Sequence, residues 1–237
     1  MRGVIVDERI DKGCQSGLLR RGFTPFLLPR ADNLTEAISA HPDSVIFSHG
    51  SRIITTAGYC ERAAWLFSDI REMFSAELHF SSEEFSPGFP GDAIMNSLVI
   101  GNKMFCNAKT VSKSILNFAK SENLEIIHTN QAYPKCATLV LNDEQVITAD
   151  RGLAARFNEA KIEATLISPG GICLPPYEYG FIGGACGVYE GRVYFFGDYS
   201  THPDAEIIEQ ALGRANLAPI SLSDGVLRDF GGMLFLK

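Results

Sequence analysis

Short apolar runs come in pairs along this chain, each pair split by a Gly, Asn, Asp or Ser turn, and the pairs recur. PDSVIFSHGSRIITTAG opens at Pro42, GDAIMNSLVIGNKMFCNA at Gly91, YPKCATLVLNDEQVITAD at Tyr133 and IGGACGVYEGRVYFFGD at Ile182. Each has the form of a β-hairpin, two strands of aliphatic and aromatic residues around residues that tolerate tight backbone geometry. The apolar period then changes. Asp11 to Gly22 carries Cys14, Leu18 and Leu19; the stretch from Arg62 carries Ala63, Leu66, Phe67, Ile70 and Phe74; Val111 to Ala119 carries Val111, Ile115, Leu116 and Ala119. Positions three and four apart share a helix face, so these stretches predict core-facing helices. A further helix is marked by Thr201 and Asp204 in capping-box spacing, with Pro203 in the first turn and Ile207, Ile208 and Leu212 behind. The segment from Gly152 to Ala160 is less regular. Apolar strands then return as FTPFLLP, ELHFS, LEIIHT, ATLISP and PISLS, each predicted to be buried.

The repeating module is therefore strand, strand, helix, strand. A fifth copy opens at Asp229 as DFGGMLFLK and runs out of chain, and RGVIVDE with the segments after it supplies the remainder from the other terminus. Pairing one strand from each end would close the repeat on itself and remove an unpaired sheet edge. The expected architecture is one α/β domain over 1–237, with modules near 229–237 plus 1–29, 42–81, 91–128, 133–168 and 182–222. A chain of 237 residues with 46% hydrophobic and 21% charged content buries a substantial core, and no linker or low-complexity tract divides it.

Composition narrows the function. A net charge of −7 without a Lys/Arg cluster argues against nucleic acid, whose phosphates need concentrated positive charge. No apolar run approaches the ~18 residues of a membrane span. Asp7, Glu8 and Asp11 stand where a signal peptide would carry basic and then apolar residues, so a cytoplasmic protein is expected, with no membrane partner. The cysteines at 14, 60, 106, 136, 173 and 186 show no CxxC and no Cys/His ligand spacing. Neither a metal site nor a cofactor is expected from them, and a reducing compartment suits them. A small molecule is the expected partner, and a homo-oligomer is compatible with the sequence.

Five modules of this kind, the last completed from both chain ends, resemble the pentein or guanidine-modifying-enzyme superfamily. These are five-bladed β/α propellers that include arginine deiminases, amidinotransferases and dimethylarginine dimethylaminohydrolases. The phrases QAYPKCATLVLNDEQVITADRG, YGFIGGACG and GDYSTHPD resemble more specifically a bacterial group within that fold. The resemblance implies a Cys nucleophile on the first strand of the last module, a proton-transferring His two modules earlier, and acidic residues holding the guanidinium nitrogens. Here the first position reads Gly231, Gly232, Met233, Leu234, Phe235, Leu236, and the second reads Tyr133, Pro134, Lys135, Cys136, Ala137, Thr138. Neither supplies the group. The acidic role is less clearly lost, because Asp92 falls near the expected guanidinium-binding carboxylate and Asp43 matches an acidic residue opening an earlier module. Asp229 precedes the Gly231-Gly232 pair. Each of the three is also what turns or caps a chain before a strand.

Cys136 carries two readings. First strands of a propeller line its axial channel, which would bring Cys136 and Cys186 together with Asn96, and Lys135 would favour a thiolate there. A free Cys is equally a small buried apolar side chain, and Cys186, among Ala185 and glycines, leans that way. GFIGGACG lacks the order of a dinucleotide loop and leads into a strand, so Gly183 and Gly184 predict close backbone approach instead. Tyr177, Glu178 and Tyr179 follow two prolines and read either as a lid at the channel mouth or as cover for the core. His202 and Asp204 read as a helix start, and His41 and His49 as loop residues without evident partners. Two functions stand against each other. One is a protein that binds a small polar metabolite, guanidino or amino-acid-like, in the axial channel without guanidine-modifying catalysis. The other is an amidinotransferase- or deiminase-like hydrolase with Cys136 as a relocated nucleophile. Asp92, Asn96, Lys135, Glu178, Cys186 and Asp229 are the candidate ligand contacts.

Overall fold

A computed structural model of the chain describes residues 1–236, so Lys237, the last residue of the expected closing strand, lies outside the described residues. The strands are β1 (Arg2–Asp7), β2 (Phe23–Leu28), β3 (Phe47–His49), β4 (Arg52–Thr55), β5 (Glu77–Phe80), β6 (Leu98–Ile100), β7 (Lys103–Cys106), β8 (Glu125–His128), β9 (Thr138–Asn142) and β10 (Gln145–Thr148). They continue as β11 (Glu163–Leu166), β12 (Ile172–Cys173), β13 (Cys186–Tyr189), β14 (Arg192–Phe195), β15 (Ala218–Ser221), β16 (Leu227–Arg228) and β17 (Leu234–Leu236). Five three-stranded sheets share one plan: β3-β4-β5, β6-β7-β8, β9-β10-β11, β13-β14-β15 and β17-β1-β2. In each, the middle strand is antiparallel to the first and parallel to the third. Parallel pairing needs a crossover, which the helices provide. The fifth sheet takes β17 from one terminus and β1 from the other, in the register Gly3 to Leu236 and Ile5 to Leu234.

The helices are α1 (Lys12–Arg20), α2 (Pro42–Val45), α3 (Ala57–Arg62), α4 (Ala64–Phe74), α5 (Lys113–Ser121), α6 (Arg151–Glu159) and α7 (Ala205–Arg214). A polar residue closely following the middle strand begins several of them. Asp11 accepts from the N–H of Cys14 at 2.8 Å, Thr56 from Tyr59 at 3.2 Å and Asp150 from Leu153 at 2.9 Å. Each cap satisfies an otherwise unpaired N–H, worth about 1 kcal/mol.

The structure corrects several expectations. The segment at α6 is a regular helix, because Asp150 caps it and Leu153, Ala154 and Phe157 form its buried stripe. On α1, Cys14 and Leu18 are buried but Leu19 is 59% exposed, lying beside the stripe rather than in it. Thr201 does not cap α7: it ends a 3-10 turn begun by Asp198, whose carbonyl accepts its hydroxyl at 2.7 Å. Asp204 instead donates its N–H to His202 Nδ1 at 3.0 Å, and α7 starts at Ala205. The returning strands β5, β8, β11 and β15 are partly exposed, since each forms the outer edge of its sheet, whereas β4, β7 and β10 are buried beyond their first residue.

The stretches leading into the first strands are turns, not strand. Pro42–Val45 is a helical turn, and at Tyr133 to Ala137 the chain also closes one turn, with Ala137 N–H donating to the Tyr133 carbonyl at 2.9 Å. Pro42 and Pro134 suit first-turn positions because proline fixes φ and has no N–H to leave unpaired. Cys136 therefore stands before β9, not on it. These turns are hydrogen-bonded to one another in a sequence that returns to its start. Asp43 N–H donates to the Gly231 carbonyl at 3.2 Å, and Asn96 Nδ2 to the Asp43 carbonyl at 3.1 Å. Lys135 N–H then donates to Asn96 Oδ1 at 2.9 Å and Gly184 N–H to the Cys136 carbonyl at 3.0 Å. The Gly184 carbonyl finally accepts from Phe230 at 3.0 Å and Gly232 at 2.8 Å. The apolar clusters run the same way: one joins Ile5, Ile54 and Met104, the next Phe105 and Val146, the next Ile147 and Val193, and another Tyr194 and Val4.

Candidate functional site

The first strands of all five sheets contribute to one cavity of about 560 Å³. Phe47, Leu98, Leu139, Val188 and Phe235 give it apolar walls, and His49, Asp143 and Tyr189 stand at the hairpin end. At the other end the pre-strand turns present Asp43, Ser97, Lys135, Gly231 and Gly232, beside Thr138 and Cys186 at the starts of β9 and β13. Asp43 Oδ2, Ser97 Oγ and Thr138 Oγ1 are buried there with no hydrogen-bond partner. Leaving such an atom unpaired costs about 1–3 kcal/mol, so this end of the cavity carries three unsatisfied polar atoms.

Behind Asp43, the buried side chains of His41, Cys136 and Asp229 meet. The Cys136 thiol lies 3.5 Å from Asp229 Oδ2, and His41 Nδ1 lies 3.7 Å from Asp229 Oδ1. His41 is 1% exposed and neither ring nitrogen has a hydrogen-bond partner; Nε2 faces Asp7 Oδ2 at 3.8 Å. Asp7 is itself held by Arg9, whose Nε donates to Oδ1 at 2.9 Å. Asp229 accepts the N–H of Phe181 at 2.8 Å and of Gly231 at 3.0 Å. The expected close approach of the glycines is present: a Cβ on Gly184 would fall 1.9 Å from Asp229 Oδ1, and one on Gly183 2.4 Å from the Lys135 and Thr138 carbonyls.

Burial sets the protonation of this cluster. It pushes the Cys136 thiol well above its ordinary value, and the carboxylates of Asp229 and Asp43 add to the shift. Burial, then the nearby Asp229, raises the Asp43 carboxyl to about 8. Asp229 rises only to about 6 because the Phe181 and Gly231 N–H groups favour its charged form. His41 is pushed down to about 3, chiefly by burial, and so is neutral at pH 7. A nucleophilic cysteine must reach the thiolate, and this environment opposes it.

The candidate residues divide by position. Asn96 and Asp229 hold turns together, Lys135 and Cys186 line the cavity, and the Cys186 thiol donates to the Ile182 carbonyl at 3.0 Å, with burial pushing its pKa up to about 12. Cys136, Asp92, Asn96 and Asp229 are not among the lining residues, because each is held in the turns behind the cavity; Asp92 accepts from the Tyr133 hydroxyl at 2.7 Å. Glu178 is exposed and outside the lining, between the exposed Tyr177 and Tyr179. His41 was legible only by phase. It precedes Pro42-Asp43 as Tyr133 precedes Pro134-Lys135, and comparing the modules by their turns instead of their strands exposes it as a central residue.

Comparison with solved structures places this arrangement among known folds. DDAH from Pseudomonas aeruginosa, a mutant complexed with citrulline, matches with a TM-score of 0.56 and 10% identity over 93% of this chain and 91% of that one. An amidinotransferase from Microseira wollei, of the saxitoxin biosynthetic pathway, matches with a TM-score of 0.56 and 14% identity over 93% and 88%. The N-terminal domain of a cyanobacterial arginine dihydrolase, a mutant bound to substrate, matches with a TM-score of 0.54 and 10% identity over 94% and 92%. A comparison with curated proteins returned no match. The chain has the fold of the pentein superfamily and belongs to DUF6873, a family of unknown function whose model matches residues 5–234.

Proposed function

We propose that this protein binds a small polar metabolite, amino-acid-like or guanidino, in the axial channel of a single five-bladed β/α propeller domain, and does not carry out guanidine-modifying chemistry. The five sheets are read as blades around the cavity that their first strands line. The observation that carries the proposal is the set of unpartnered polar atoms on three successive modules, Asp43 Oδ2, Ser97 Oγ and Thr138 Oγ1, in the wall that Lys135 also lines. A ligand with an amine or guanidinium beside Asp43, whose positive charge would draw that carboxyl back to its charged form, and with a carboxylate for Lys135, satisfies this wall with charge-assisted bonds. The citrulline bound to the Pseudomonas relative belongs to that chemical class. Catalysis through Cys136 is disfavoured because the thiol lies outside the cavity lining and burial keeps it protonated.

Binding calorimetry with arginine, citrulline and agmatine, against glutamate and glucose as controls, tests this. Saturable binding to a member of the first group is expected, weakened about tenfold, or 1.4 kcal/mol, by Lys135→Met if the ligand carries a carboxylate. Ammonia or urea production by the wild type that is lost in Cys136→Ser would establish the hydrolase reading instead.

A further inference from the structure

We propose that His41 Nδ1, the Cys136 thiolate and an Asp229 carboxylate oxygen form a site for a zinc-class divalent cation beneath the cavity floor. The three donors stand in or just before the turns leading into three different first strands, so no ligand-spacing motif runs along the sequence, yet their donor atoms all lie within 4.8 Å of one another. Zinc bonds of about 2.0–2.3 Å in tetrahedral geometry place donors roughly 3.2–3.8 Å apart. For one oxygen, Asp229 Oδ1, the separations are 3.8 Å to the Cys136 thiol and 3.7 Å to His41 Nδ1, at the upper end of that range. A mixed nitrogen, sulfur and oxygen set suits zinc, whereas magnesium and calcium favour oxygen alone.

His41 supplies the independent observation. It is 1% exposed, and neither nitrogen has a hydrogen-bond partner in a protein where buried polar groups are otherwise largely paired. Coordination through Nδ1 gives that lone pair a partner and leaves Nε2–H directed at Asp7, 3.8 Å away and anchored by Arg9. A carboxylate behind a metal-bound imidazole is the usual means of fixing its tautomer and orientation. The charges also balance: a divalent cation with one thiolate, one carboxylate and a neutral imidazole is neutral overall. Binding forms the metal–sulfur bond and releases the thiol proton to solvent. Asp43 neighbours the thiol and also lines the cavity. Three protein donors leave the fourth tetrahedral position to a water, and the burial of all three donors assigns the ion a structural role, holding the closing turn at Asp229 to the turns of His41 and Cys136.

Titration of chelator-treated, reduced full-length protein with Co²⁺ is the test. One equivalent is expected to give a thiolate-to-cobalt charge-transfer band and the visible bands of a tetrahedral site, and Zn²⁺ to displace both and raise the melting temperature. Cys136→Ser should abolish the charge-transfer band and Cys106→Ser, a buried thiol outside the cluster, should keep it. Wild-type protein with no such band and no change in melting temperature overturns the site, whatever the variants do. Metal binding without metabolite binding would remove the proposed ligand function alone, and the converse would remove this site alone.

Discussion

Asp229 is the residue on which most of the centre depends: its carboxylate accepts two backbone N–H groups and lies against the Cys136 thiol and the His41 ring. That density of contact explains the neighbouring glycines. A methyl group on Gly184 would overlap Asp229 Oδ1, so Gly184→Ala should destabilise the fold by about 1–3 kcal/mol, the usual range for overpacking a filled interior. Urea denaturation reads this directly, and an unchanged midpoint would mean the turns have room that the structure denies. The thiols give a second prediction. Cys136 is buried and held protonated, whereas Cys60 and Cys173 are partly exposed. Iodoacetamide should label Cys136 in the native protein more slowly than either, and faster labelling would contradict the assigned environment. At this scale a shared phase in the repeat singles out Cys136, Asn96 and Asp229, but it expects them in the channel, and they lie outside the cavity lining. The sequence hid His41, since a lone imidazole before a proline carries no local sign that two distant carboxylates will surround it.

The elements follow local chemistry wherever one signal acts unopposed. Asp11, Thr56 and Asp150 start helices as their positions after a middle strand require. At the start of α7 two capping signals overlap, and Asp198 captures the turn before Thr201 can cap the helix. The returning strands differ from expectation for another reason: an apolar strand looks the same in sequence whether it lies in the centre or at the edge of a sheet. The same α7 junction gives a pH prediction. His202 is 3% exposed, its Nδ1 accepts the Asp204 N–H, and burial lowers its pKa. The unfolded chain therefore binds a proton at this residue more readily than the native one, so stability falls as pH drops below about 6.5 towards the lower folded value. Chemical denaturation of wild type and His202→Asn from pH 7.5 to 5 should show the variant losing less stability over that interval. Parallel pH profiles would contradict a neutral, buried imidazole.

For the whole molecule, closure was legible because a repeat that stops halfway at one terminus and resumes at the other has few alternatives, and β17 does pair with β1. Chemistry was less legible, since the positions where the resemblance implies a nucleophile and a histidine hold glycine and apolar residues or a turn. Closure also makes a prediction about chain order. Joining the termini through a short Gly linker and opening the chain between the exposed residues Gly50 and Ser51 preserves every strand pairing. The permutant should fold with the native circular-dichroism spectrum and a cooperative transition, because termini are tolerated at exposed turns. A molten product would show that β17 and β1 do not hold the fold together as paired strands.

The central claim is that the cavity lined by all five first strands receives a polar metabolite without converting it. Its most direct measurement is calorimetric titration of wild type and Lys135→Met with arginine and citrulline, followed by product analysis of the same samples. Saturable binding by the wild type, at least about tenfold weaker in the variant and with the ligand recovered unchanged, is the expected result. Binding unaffected by Lys135→Met, no binding to either compound, or recovery of a hydrolysed or transferred product would contradict it.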